Sequence, residues 1–153
     1  MTAGALVNRW PRLAAALCFG VAGSALPAAW FLPTVLSRWD PIALALFIGL
    51  PGVAAATAGA VVGAAICDPL KRITSQGAIL RGAGVATLAF VIFAPMFSVL
   101  FAHTSPGRTN ILGLALTVLI FSAVAIWWLA AAVGGVVGWL LHRCRSDLPR
   151  TTI

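Results

Sequence analysis

Glutamate and tyrosine are absent from this 153-residue chain, and Asp40, Asp68 and Asp147 are its only acids. Charged residues make up 8%, against about 25% in an average soluble domain. A fold wetted on every side cannot cover its surface with so few charges. The three cysteines, Cys18, Cys67 and Cys144, form no C-x-x-C pair, which excludes a disulfide scaffold and the usual zinc or redox motifs. His142 and Cys144 stand two apart, too few ligands for a metal site. The expected roles are a buried small residue at Cys18 and at Cys67 and an inert thiol at Cys144. No Walker A, dinucleotide-binding or zinc-protease motif occurs.

Apolar residues make up 61%, against roughly 45–50% in soluble domains, and mean hydropathy is +1.05. Such a chain is neither disordered nor a secreted mini-domain. Four runs exceed the ~18 residues that suggest a membrane helix: residues 13–36, 42–67, 82–102 and 111–141. None holds an acid, Lys, Arg or His in its interior. The fourth is longer than a ~30 Å hydrocarbon layer needs, so it is expected to tilt or to leave the bilayer at one end. The connections are short, with Asp40-Pro41 as an N-cap followed by Pro at the first helical position, Asp68-Pro69 as a helix stop and Pro106-Gly107 as a turn. The expected fold is all-α: one polytopic membrane domain over residues 1–153, a four-helix bundle with short loops and tails at 1–12 and 142–153.

Charge then sets orientation. Arg9, Arg12, Lys71, Arg72, Arg81, Arg143, Arg145 and Arg150 fall on the side of the N-terminus, and only Arg38 and Arg108 on the other. Eight against two, all in short segments, predicts both termini in the cytoplasm. The net charge of +7 is therefore a topology signal, and its scatter over three segments gives no nucleic-acid site. Arg9 and Arg12, the apolar run from Leu13 to Ala22 and Gly23-Ser24-Ala25 have the layout of a cleavable signal peptide. Apolar residues continue to Leu36, however, which makes a full span. The Ala-rich, Arg-over-Lys composition points to a bacterial inner membrane as the location.

Lipid offers no hydrophobic drive between helices, so small residues must let backbones approach. Ala55-Gly59-Gly63 and Ala130-Gly134-Gly138 form two smooth stripes at four-residue spacing. They suit packing within the chain or a seam for a second copy. The segments Gly59-Ala60-Val61-Val62-Gly63 and Gly134-Gly135-Val136-Val137-Gly138 also match each other, and Pro27 and Pro95 sit alike in the first and third spans. Two tandem hairpins would produce this pattern. Prolines 27, 33, 51 and 95 each free a backbone carbonyl, for which Ser24, Thr57 and Ser122 are candidate midplane partners. Trp10, Trp30, Trp39 and Trp139 fall near span ends, where indoles prefer to lie. Trp127-Trp128 fall near the middle of the fourth run instead.

Coupled transport and intramembrane catalysis need ionisable groups inside the bilayer, and the spans have none. The expectation is a non-enzymatic membrane protein without cofactor or metal, acting through helix–helix association as an accessory or assembly subunit or as a homo-oligomer. Its partners are then the lipid bilayer and another membrane protein or a second copy. The alternatives are a channel or facilitator for a neutral solute, resting on the kinks and midspan hydroxyls, and a holin-like pore former.

Overall fold

The computed structural model describes residues 7, 9–38, 40–67, 73–104 and 110–146. The chain is helical, with five helices and no strand among the described residues. Helix α1 covers Pro11–Arg38, α2 covers Pro41–Cys67, α3 covers Ser75–Thr104, α4 covers Ile111–Ala125 and α5 covers Trp127–Ser146. Three stretches are long and apolar enough to cross a membrane: Pro11–Ala29, Pro41–Cys67 and Ser75–Thr104.

Local chemistry explains the boundaries. Asp40 accepts from the amides of Ile42 (3.0 Å) and Ala43 (3.1 Å), and Pro41 opens α2 as expected. Thr74 caps α3 through the amide of Gly77, and Asn110 caps α4 through the amide of Gly113. With Thr74 as cap, α3 begins seven residues before the apolar run at Gly82. Two wide π turns, Ala45–Gly49 and Gly59–Gly63, interrupt α2. In the first, the amide of Leu50 reaches back five residues to the carbonyl of Ala45. The widened turn lies directly before Pro51, whose ring would otherwise meet the carbonyl of Phe47. The second coincides with the Gly59–Gly63 pair, where glycine holds the α form least firmly.

The core gathers at one end of the molecule. Ala14, Ala15 and Phe19 of α1, Ala58, Ile66 and Cys67 of α2, Ala78 and Val85 of α3 and Leu141 of α5 are buried together there. Towards the other end α2 and α3 bury Leu46, Leu50, Ala54, Ala94 and Ser98. Phe93, Phe97 and Phe101 stack along α3, and Phe47 of α2 lies against Phe97 at 5.9 Å. Helix α4 packs mainly on α3 and buries none of its described side chains.

Two expectations need correction. The run 111–141 is not one helix, because the chain turns at Ile126 and restarts at Trp127. Its excess length is resolved by a break, with no Pro or Gly at the site to announce it. Beyond the turn, the Gly face of α5 and the Trp127 indole lie against α3. The second correction is Cys18, which is exposed. It lies beside Phe19 on α1, but the face that turns inward there carries Ala14, Ala15 and Phe19.

Candidate functional site

Both glycine stripes face inward. A Cβ on Gly59 would lie 2.9 Å from the carbonyl oxygen of Ala15, and one on Gly63 would lie 2.9 Å from the ring of Phe19. Ala55, one turn earlier, meets α1 at Gly23. The α1–α2 seam thus admits the Phe19 ring only because α2 presents hydrogens there. In the α3–α5 seam a Cβ on Gly134 would fall 2.5 Å from the carbonyl oxygen of Gly82 and 2.9 Å from Ala86. Gly138 lies against the backbone of Ala78 and the Cα of Gly82, 3.1 Å away for a Cβ. Ala130, the third residue of that stripe, is half-buried. Each stripe packs on the helix that precedes it in its own hairpin.

The three candidate midplane hydroxyls are not brought together. Thr57 is exposed, and its hydroxyl donates to the carbonyl of Val53 in its own helix at 2.8 Å. Ser24 lies against Gly52 across the α1–α2 seam. It is the hydroxyl in an open apolar groove of about 550 Å³ that also touches Gly20, Ala28, Gly49 and Ala56. The side chain of Ser122 lies outside the described residues, as do those of Trp30 and Trp39 and all of Asp68, Lys71 and Arg72. Ser98 is fully buried and donates to the carbonyl of Ala94 at 2.8 Å, in the turn that follows Pro95.

The polar contact between helices at midspan is one the sequence reading did not name. The indole Nε1–H of Trp127 donates to the hydroxyl of Thr87 at 3.0 Å, and that hydroxyl donates to the carbonyl of Ala83 at 3.0 Å. The pair sits at the break. Because Gly134 rests on Gly82 and Ala86 and the helices run antiparallel, ~12 Å back along α5 brings Ile126 roughly level with Ile92. Ile92 is the centre of the apolar run Gly82–Ala102. The amides of Leu129 and Ala130 both donate to the carbonyl of Ile126, while Ile126 has no side chain able to cap Trp127 and Trp128. The midspan tryptophans were the available signal: in antiparallel register from the Gly134 stripe Trp127 falls within about one turn of Thr87, a gap its indole spans.

At the end where the core gathers, Arg81 donates to the carbonyl of Ala65 at 3.2 Å and so caps the last turn of α2. Arg143 lies 5.3 Å over the ring of Trp139. His142 Nδ1 is buried with no hydrogen-bond partner among the described residues, and no set of three metal-ligating side chains comes together among them. The three thiols are free. His103 turns back on its own helix, 2.8 Å from the carbonyl of Val99. Compared with known protein families, with curated proteins and with solved structures, the chain matches none.

Proposed function

We propose that this chain is a four-crossing protein of a bacterial inner membrane that works by helix–helix association inside the bilayer, as an accessory or assembly subunit or as a homo-oligomer, and not as an enzyme. In this arrangement α1, α2 and α3 are the first three crossings, and α4 with α5 makes the fourth in two halves. One observation carries the proposal: α4 and the head of α5 present an apolar, uncovered surface that contains a break in the backbone half-way across. Such a surface suits a protein neighbour better than it suits lipid.

Arg9, Arg12, Arg81, Arg143 and Arg145 lie in or beside the helix segments that share the main core. That supports a cytoplasmic placement of this end and of both termini. The solute-path alternative has less support, because Thr57 and Ser98 use their protons within their own helices.

Two measurements test the proposal. A C-terminal alkaline phosphatase fusion should be inactive and a C-terminal fluorescent-protein fusion bright, and the reverse pattern overturns the orientation. Chemical cross-linking in native membranes should trap the chain in a defined complex, whereas a chain that stays single at every cross-linker length contradicts the association.

A further inference from the structure

We propose that the groove between α1 and α2 holds an acyl chain of an anionic phospholipid, whose phosphate is held by the guanidinium of Arg12 at the mouth of the groove. This goes beyond the association reading and needs only that α1 and α2 cross a bilayer, so its failure leaves that reading standing.

Small side chains make the groove. Gly20 stands against Ala56, where a Cβ would lie 3.0 Å from the alanine methyl, and Gly52 stands against Ser24. Two helices this close, with Ala and Gly on both banks, leave an open apolar furrow of about 550 Å³. On α1 the lining residues Ala16, Gly20, Ser24 and Ala28 recur every four residues, so they form one row along the helix. From Ala16 to Ala28 that row is ~18 Å long, a little more than half of a ~30 Å hydrocarbon layer. The furrow thus has the depth of one leaflet, which is the depth an acyl chain occupies.

Charge says which lipid fits. One step back along the same row stands Arg12, exposed and in the first turn of α1. Helical side chains lean toward the N-terminus of their helix, which carries this guanidinium out of the furrow toward the headgroups. Arg9 and Trp10 beside it are exposed too. Asp40, the only acid among the described residues, lies beyond the far end of α1. The sequence sets Asp68 and Asp147 on the side of Arg12 against eight basic residues, so the chain itself does not neutralise that end. An apolar furrow that ends at a cation complements a molecule with an apolar tail joined to an anion. A second copy of the chain is a poorer occupant, because a two-fold axis along the membrane normal would bring Arg12 toward its own equal.

The test is photo-cross-linking of the full-length chain in lipid vesicles. The probe is phosphatidylglycerol with a diazirine on one acyl chain, and phosphatidylcholine with the same chains is the control. Labelled peptides are read by mass spectrometry. Phosphatidylglycerol should label the lining residues of α1 and α2 more strongly than phosphatidylcholine does, and unlabelled phosphatidylglycerol should compete. Arg12→Gln should cut that preference about fivefold, the loss expected for one arginine at an anionic surface, and Arg12→Lys should keep most of it. Ala16→Leu keeps the charge but fills the mouth of the furrow. It should lower labelling of α1 and α2 and leave labelling of the exposed α4 face unchanged. Circular dichroism confirms that each variant is folded, and Arg12→Gln decides alone if Ala16→Leu is not. Equal labelling by the two lipids, or a preference unchanged in Arg12→Gln, overturns the proposal. Lining residues that no lipid labels overturn it as well. None of these outcomes depends on whether the chain is single or associated, so the association reading stands or falls by its own cross-linking.

Discussion

The hydroxyl of Thr87 accepts from an indole on another helix, whereas the hydroxyl of Thr57 faces outward and serves its own helix. The two residues are chemically identical, yet their removal should differ. Thr87→Val should destabilise the folded protein by about 0.6–2 kcal/mol in a mild-denaturant unfolding assay, and Thr57→Val by almost nothing. A double-mutant cycle with Trp127→Phe should recover most of that difference as coupling between positions 87 and 127. Arg81 belongs to the same scale. Its guanidinium reaches a last-turn carbonyl of α2, so Arg81→Met should cost about 1–3 kcal/mol, since a charged donor is lost and an acceptor left bare. Sequence could not show this bond, because it depends on how far the end of α2 lies from the start of α3.

At the scale of the element, glycine positions of the same helix should respond in opposite ways. Gly82 faces the backbone of Gly134, and Gly84 faces open space. Gly82→Ala should destabilise by about 1–3 kcal/mol, because a backbone cannot yield as a side chain can. Gly84→Ala should be neutral or stabilising by up to about 1 kcal/mol, through helix propensity alone. Thermal unfolding of the two variants in one detergent would check this directly, and equal losses would remove the Gly82–Gly134 seam. Much of this scale was legible in the sequence. The four-residue spacing of Gly59–Gly63 and Gly134–Gly138 marked the stripes, and Asp40-Pro41 marked the start of α2. The π turns and the stop at Ile126 were not legible. Nothing at Ile126 opposes a helix locally, and the contact beside the break joins residues forty positions apart, beyond the reach of any local pattern.

For the whole molecule, the sequence carried its class and its polarity of charge but not its asymmetry. Hydropathy marks residues 13–36, 42–67, 82–102 and 111–141 as four crossings, the last overlong. In the folded chain the main core lies at one end, and among the described residues the fourth run contributes buried side chains only through α5. Apolar runs report transfer to lipid and carry no information on which helix covers which. For the same reason Cys18 and Cys67 looked alike, although one is exposed and the other fully buried. A thiol reagent of moderate size should therefore modify Cys18 in the folded protein much faster than Cys67, read by mass spectrometry of the two peptides. Equal rates would contradict the packing of the core end.

The association of this chain with another membrane helix is the central claim, and native mass spectrometry of vesicles prepared directly from the membrane tests it most directly. The account predicts that the 15.8 kDa chain leaves the bilayer as a defined complex heavier than the single chain, with a second copy or with another membrane protein. A wild-type chain that emerges only at its own mass, under conditions that preserve known membrane dimers, would contradict the account.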